Sequence, residues 1–389
     1  MTAFSQVVER LGGDFPTGAF GRTYRIWRSV ADFPSVLTWG DLNTVIGRGR
    51  PEPPRLRLHR DGELIPRQRY ATAATTRRNV VWQRIQPSRL HGQLHDGASL
   101  VLDAVDELHQ PAERLAQALE GVFRGRVQIN VYASWTATEG FGIHWDDHDV
   151  IVVQVEGAKR WRLYGPTRTN PLHRDTEAPD PPADEPIEEI VLRAGDMLYL
   201  PRGWWHAAAA TEGRSLHLTC GLQTTSGADL LGWLSERLRT SETVRAHLPV
   251  FAPPQEQAAY LELLRKDVTD ALHDGAIRDF LTARDGIEPG RPMPSLPILD
   301  AVPAREDLRV RLTTARAQLA DNDQGQVALL AGGEEWTFTA SVRAVLSPLL
   351  DGSSTSLGYL AETSTLTVGQ VAGLITELVN ANIAAVSEP

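Results

Sequence analysis

The segment FGIHWDDHDVIVVQVEGAKRW, residues 141–161, holds two metal-ligand residue types one position apart, an apolar run and, just beyond it, a lysine. On an extended strand residues i and i+2 point to the same side, so His144 and Asp146 can offer an imidazole and a carboxylate to one ion. The segment sits among short β-type runs between Arg126 and Leu222: VQINVYAS, FGIHWD, VIVVQVEG, KRWRLYGP, EEIVLR, DMLYLP and SLHLTCGL. Runs of this length, punctuated by Gly and Pro, predict a compact barrel or sandwich. DTEAPDPPADEPIEE, residues 175–189, interrupts them; its four prolines and seven carboxylates predict a solvated acidic loop.

A third ligand comes from GDMLYLPRGWWHAAA, residues 195–209, where Gly195-Asp196 marks a tight turn, MLYLP a buried strand, and His206 follows at its far end. Two histidines and one carboxylate make the facial triad of non-haem Fe(II) sites, which leaves positions open for a co-substrate and O₂. Two hydrogen-bonded histidines of an ordinary β-core would look similar in sequence, but they give no reason for Lys159. The chain has only two lysines, Lys159 and Lys266, beside 37 arginines. A dicarboxylic acid chelating iron at one end needs a buried cation at the other, and a point-charge ammonium suits a single carboxylate in a narrow barrel.

Four motifs between Gln128 and Leu222 are specific: Asn130-Val131-Tyr132, His144 to Val150, Gly157 to Trp161 and Gly195 to His206. In the forms N-x-Y, H-x-D-x-H-D-V, G-x-K-x-W and G-D-x-L-x-x-P-x-G-x-x-H they resemble the JmjC family, and within it the bacterial cupin-like, ribosomal-oxygenase branch. The resemblance implies a mainly β catalytic core, a double-stranded β-helix or cupin jelly roll with flanking helices. It implies Fe(II) held by His144, Asp146 and His206, and 2-oxoglutarate gripped by Lys159. Asn130 and Tyr132 would donate hydrogen bonds to the co-substrate, and Thr219 would add a polar contact on the strand face it shares with His217. The implied activity is O₂-dependent hydroxylation of a side chain of a protein or peptide, notably a basic ribosomal protein, with release of succinate. A small natural product or modified peptide is the alternative substrate. A metal-binding cupin that oxidises nothing and acts as a sensor or binding module is the alternative of another class, and Lys159 argues against it. His148 and Asp149 are expected to orient their loop. Trp204 and Trp205 are expected to wall the pocket, and His91 and His95 to be incidental.

Outside this region Asp61-Gly62, between RLRLH and ELI, predicts a hairpin. Residues 97–108 and 111–123 carry apolar residues at helical spacing. After Ser226 the texture is helical to residue 285, a Pro-rich linker follows, and the tail mixes short strands and helices. The expected division is a catalytic domain over 1–226, a helical dimerisation region and linker over 227–298, and a small α+β, winged-helix-like domain over 299–389. The last two assignments come from the family resemblance.

The 389 residues carry a net charge of −10, which argues against a general nucleic-acid binder. Eleven arginines against three carboxylates nonetheless lie between Arg48 and Arg89, while the tail from Ala301 holds five arginines and ten carboxylates. The acidic tail opposes phosphate binding by a winged helix, and the acidic 175–189 loop suits a basic target. One cysteine, Cys220, excludes an intramolecular disulfide framework. With no signal-like N-terminus and no membrane-length apolar run, a cytoplasmic location is expected, without nucleic-acid or membrane partners, and the family resemblance of the helical middle implies a homodimer.

Overall fold

The computed structural model describes residues 3–49, 51–75, 77–172, 180, 182–211, 213–321 and 324–389. The chain divides into two compact units, 1–224 and 225–389.

The first unit carries strands β1 (Arg25–Trp27), β2 (Leu56–Arg60), β3 (Glu63–Leu64), β4 (Ala71–Thr75), β5 (Val81–Ile85), β6 (Ser99–Leu102) and β7 (Arg126–Ser134). These are followed by β8 (Asp149–Glu156), β9 (Ala158–Pro166), β10 (Glu188–Arg193), β11 (Met197–Leu200), β12 (Trp204–Ala210) and β13 (Ser215–Gln223). Its helices are α1 (Ala3–Arg10), α2 (Phe15–Gly18), α3 (Trp39–Arg48), α4 (Pro87–His95) and α5 (Gln110–Phe123). A large antiparallel sheet runs β1-β11-β8-β13-β7-β6-β2-β3, a small one runs β10-β9-β12, and β4–β5 forms a separate hairpin.

Strand alternation separates two apolar layers from the site. On β13 the side chains of Leu216, Leu218, Cys220 and Leu222 enter the main core with those of α5, while His217 and Thr219 take the opposite face. On β8, Ile151, Val153 and Val155 join that core, and Val150 and Val152 turn toward the small sheet. There they pack with Trp161, Leu163, Ile190, Leu192, Leu198 and Leu200. The site lies between the sheets, where inward positions become polar. Gly157 makes the β8–β9 turn at φ 70°, and a Cβ there would lie 2.1 Å from the Arg214 carbonyl oxygen, so only glycine fits.

The hairpin expected at Asp61-Gly62 is present, with His59 opposite Leu64 and positive φ at both turn residues. Four expectations are corrected. Residues 97–108 are not a helix: Ser99–Leu102 form β6 between β2 and β7, buried on both faces, so a short apolar run was mistaken for helical spacing. FGIHWD is not a strand; His144 makes only an isolated bridge with His206. WWHAAAA, in contrast, is a strand in its own right, and His206 sits within it. The acidic stretch ends earlier than expected, because Glu188 and Glu189 already belong to β10; residues 175–179 and 181 lie outside the described residues.

The second unit holds α6 (Gly227–Leu238), α7 (Glu242–Arg245), α8 (Pro254–Ala271) and α9 (Ala276–Ile287), as the helical periodicity predicts. Beyond them lie β14 (Arg309–Leu312), β15 (Gln318–Asp321), β16 (Gln326–Ala331), β17 (Glu334–Thr339), α10 (Arg343–Leu346) and β18 (Thr355–Ser356). The unit closes with α11 (Leu357–Glu362), α12 (Val368–Asn380) and β19 (Ala384–Ser387). The strands form two small sheets, β18-β14-β19 and β15-β16-β17, around an apolar core. Asp285 on α9 accepts a 2.8 Å hydrogen bond from the buried Arg316 guanidinium, which ties the helices to the strands.

Candidate functional site

His144 and His206 meet through their backbones first. The His144 N–H donates to the His206 carbonyl at 3.0 Å and the reverse bond is 2.8 Å, so a loop and a strand are locked in register at the site. This two-bond bridge replaces the strand expected for FGIHWD and brings the two rings to a centroid distance of 4.4 Å. Asp146 closes the group, with one carboxylate oxygen 3.7 Å from His206 Nε2. One potential ligand atom from each of His144, Asp146 and His206 lies within 4.8 Å of the others.

The tautomers suit a cation. His144 Nδ1 lies 3.1 Å from the Gly142 carbonyl and His206 Nδ1 lies 2.9 Å from the Trp204 carbonyl. A carbonyl only accepts, so Nδ1 carries the proton in both rings and each Nε2 keeps a free lone pair, the form a metal binds. Burial, and then the neighbouring His144, push the His206 pKa down to about 4, so its ring is neutral at pH 7.

Around these groups lies a cavity of about 530 Å³, counted out to its solvent mouth. Lys159, Trp161, Tyr132, His217 and Thr219 line it together with the three candidate ligands. Lys159 is 5% exposed, and burial lowers its pKa to about 7, with no charged neighbour among the described residues contributing. Its ammonium stands 5.9 Å from the centre of the Tyr132 ring, which in turn stacks on His217 at 5.0 Å. The Trp161 indole N–H and His217 Nδ1 are buried without a hydrogen-bond partner among the described residues. A buried cation without a counter-charge, beside polar atoms left unpaired, is costly unless an anion with hydrogen-bonding capacity fills the space.

Asn130 is not among the residues lining the cavity; its carboxamide oxygen accepts from the Ala104 N–H and from Gln128, each at 2.9 Å, and its NH2 group is the donor expected to face the co-substrate. Asn130 lies two residues before Tyr132 on β7, so both side chains take the same face of that strand. Trp204 and Trp205 do not wall the cavity either: Trp204 meets Tyr24 edge-on, and the Trp205 indole donates to Thr167 Oγ1. The tryptophan at the site is Trp161, stacked on His206 at 5.7 Å. The G-x-K-x-W pattern held that signal, since Lys159 and Trp161 share a strand face. Ser99 and Phe141 also line the cavity and carried no readable signal, because a buried strand and an irregular loop deliver them.

Asp149 fixes the approach to His206 from below. Its buried carboxylate accepts from the Arg202 N–H at 2.9 Å and from Thr224 Oγ1 at 3.2 Å, binding the start of β8 to the turn before β12. His148 bonds Asp147 at 3.0 Å and packs over Gly221. Neither belongs to the three-residue group. His91 and His95, on α4, are likewise remote from the cavity lining.

Comparison with known proteins agrees with this geometry. Residues 105–230 match the JmjC domain family model. The bifunctional lysine-specific demethylase and histidyl-hydroxylase NO66 of Drosophila persimilis is 40% identical over 120 residues, covering 30% of this chain and 18% of that protein. Ribosomal oxygenase 1 of Gallus gallus is 29% identical over 208 residues, covering 52% of this chain and 32% of that one. The chain thus spans about a fifth to a third of the length of these relatives. Escherichia coli YcfD, a ribosomal oxygenase solved with cobalt and 2-oxoglutarate, superposes with a TM-score of 0.58 over 96% of this chain and 97% of its own, at 17% identity, which establishes a shared fold. Residues 105–230 thus match the JmjC domain family by model and carry the four motifs that resemble it.

Proposed function

We propose that this chain is an Fe(II)- and 2-oxoglutarate-dependent oxygenase that hydroxylates a side chain of a protein or peptide, with a ribosomal protein as the expected target class. The observation that carries the reading is the meeting, in one cavity, of two Nε2 lone pairs, a carboxylate and a buried lysine that lacks a counter-charge. His144, Asp146 and His206 would hold the iron. Lys159 would pair with the distal carboxylate of 2-oxoglutarate, with Thr219, Tyr132 and the unpaired Trp161 N–H supplying polar contacts. Asn130 would donate to the co-substrate through its NH2 group, its oxygen being taken up by the Ala104 N–H and Gln128. The iron and 2-oxoglutarate supply the oxidising chemistry: O₂ is split, 2-oxoglutarate becomes succinate and CO₂, and one oxygen atom enters a C–H bond of the target. The protein orients the reactants and keeps water out, and no side chain has to move a proton to break that bond.

A basic target fits the rim. Glu188 pairs with Leu163 across the small sheet, and Leu163 pairs with His206, so the acidic segment enters the sheet on the same rung as a candidate ligand. Asp180, Asp184, Glu185 and Glu189 are exposed there and would steer cationic segments inward. A homodimer is proposed through the helices of the second unit. α8 buries none of its residues within the chain, and Leu248, Val250, Phe251, Leu261 and Leu263 are exposed around it. Residues 299–389 are read as a winged-helix-like domain serving architecture or protein contacts. None of the described helices is long and apolar enough to cross a membrane, and the proposed location is the cytoplasm.

The test is turnover. Purified protein with Fe(II), 2-oxoglutarate and O₂ should release succinate, and ribosomal proteins from a lysate should gain about 16 Da, the mass of one oxygen atom. Succinate release without any modified protein, but with a modified small molecule, would replace the target class. No succinate under any condition would remove the oxygenase reading.

A further inference from the structure

Six rings close a circuit around the cavity. Phe141 meets His144 at 5.7 Å between centroids, His144 meets His206 at 4.4 Å, and His206 meets Trp161 at 5.7 Å. Trp161 then meets His217 at 5.7 Å, His217 stacks on Tyr132 at 5.0 Å, and Tyr132 returns to Phe141 at 5.7 Å. The order of the rings decides what each side can do. The candidate ligands His144 and His206 are neighbours on one side. Tyr132 and His217 are neighbours on the opposite side, where the Lys159 ammonium stands over Tyr132. A dicarboxylic acid held by a metal at one end and by Lys159 at the other therefore passes between the two remaining rings, Trp161 and Phe141. Among the described residues no ring contact joins those two, so they stand as separate walls.

Trp161 is fixed by strand β9 and is 4% exposed. Phe141 is half-buried on an irregular loop, so its place depends on what holds that loop. The β2–β3 turn does so: the Asp61 N–H donates to the Glu139 carbonyl at 2.9 Å, and the Gly62 N–H to the Gly140 carbonyl at 3.1 Å. Glu139 also pairs with Arg162, which follows Trp161 on β9, so the two walls share an anchor. Gly140 lies against Ser99, where a Cβ would come within 2.7 Å of the Ser99 hydroxyl oxygen. Ser99 stands opposite His59 in the pairing of β6 with β2. That register brings His59 against Phe141, and the two rings stack at 4.1 Å with 29° between their planes. His59 is 9% exposed, and neither of its ring nitrogens has a hydrogen-bond partner among the described residues. An imidazole buried in that state costs stability that an apolar side chain would not. What it offers is a flat face against which Phe141 is held.

We propose that Phe141 forms the second wall of the 2-oxoglutarate slot and sets its width, and that His59 is the positioning residue that keeps this wall in place. The inference rests on the reading of the cavity as a 2-oxoglutarate site. The two methylenes between the keto group and the distal carboxylate are the apolar part of that acid. An indole on one side and a phenyl ring on the other bury them without competing for its polar ends. A substituent on either methylene would strike a wall.

The experiment is anaerobic calorimetry in the presence of Fe(II), comparing 2-oxoglutarate with 3-methyl-2-oxoglutarate, whose added methyl projects sideways from the chain. The wild type should bind 2-oxoglutarate and discriminate against the methylated acid by roughly tenfold or more. Phe141→Ala should weaken 2-oxoglutarate binding about tenfold and bring the two acids to within about threefold of each other. His59→Leu removes two unpaired nitrogens, so it should melt no lower than the wild type while its discrimination falls; His59→Phe, which restores a flat ring, should recover it. A purely structural role for His59 would instead move melting and discrimination together. Equal binding of the two acids by the wild type, or a Phe141→Ala variant that keeps wild-type affinity and discrimination, overturns the proposal, the latter by turning Phe141 toward the hydroxylation target. Unchanged discrimination in His59→Leu removes the positioning role. A wild type that binds no 2-oxoglutarate removes the reading of the cavity itself.

Discussion

Replacing Lys159 by methionine should move two measurements in opposite directions. Without 2-oxoglutarate the ammonium is buried, 5% exposed, and has no counter-charge among the described residues, so burial holds its pKa at about 7 against an ordinary 10.5. Between those two values the unfolded chain binds more protons than the folded one. The stability of the ligand-free protein therefore rises with pH across that window, and the full cost of burying the charge is present below pH 7. Lys159→Met removes that cost while filling most of the volume, so the ligand-free variant should melt higher at pH 7 than the wild type and show a flatter dependence on pH. Binding of 2-oxoglutarate should fall, because its distal carboxylate would be left buried and unpaired. A loss of about 2–4 kcal/mol, roughly 30- to 1,000-fold in Kd, is expected. In the wild type, only the protonated lysine attracts the anion, so affinity should drop roughly tenfold per pH unit above about 7, until the pKa of the complex is reached. Anaerobic calorimetry and thermal melts on the same preparations provide both readings. Unchanged 2-oxoglutarate affinity in the variant would refute the pairing, and a lower melting temperature would show that Lys159 already has a stabilising partner.

Asp149→Ala should destabilise the first unit by about 1–3 kcal/mol, since it strands the Arg202 N–H beneath the site; a denaturant melt that matches wild type would refute this. Gly157→Ala should prevent soluble expression or lower the melting temperature sharply, because the added carbon meets the Arg214 carbonyl at 2.1 Å. Light scattering should give twice the 42.8 kDa chain mass, and Phe251→Glu should shift it toward one; a monomeric wild type would exclude the proposed dimer.

The residues that sequence spacing exposes best are those whose backbone is regular. β8, β9, β11 and β13 alternate or run apolar over several residues, and the turn glycines bracket them, so the barrel and the inward position of Lys159 are legible. The triad was legible for a partly different reason than the one that holds it. A strand through His144 would set it and Asp146 on one face by their i, i+2 spacing, whereas the chain uses an irregular loop pinned by two backbone bonds to His206. β6 is not legible in the sequence because a four-residue strand buried on both faces has no alternation to betray it. β12 escaped because alanine carries little strand preference, and its state is imposed by pairing with β9. Asn130 shares the favourable face with Tyr132, but only the folded chain reveals that the Ala104 N–H and Gln128 fix its carboxamide oxygen. The solitary role of Trp161 at the cavity, with Trp204 and Trp205 turned elsewhere, likewise depends on which face of each strand looks inward.

Anaerobic titration of Fe(II) and 2-oxoglutarate into the wild type and Asp146→Ala, followed by the weak visible charge-transfer band that a chelated 2-oxo acid gives to iron, bears most directly on the three-residue centre. The wild type should develop the band and saturate at one iron and one 2-oxoglutarate per chain. Asp146→Ala, folded to the same melting profile, should show no band. A band that persists in that variant, or never forms in the wild type, would contradict the assignment of His144, Asp146 and His206 as the iron site.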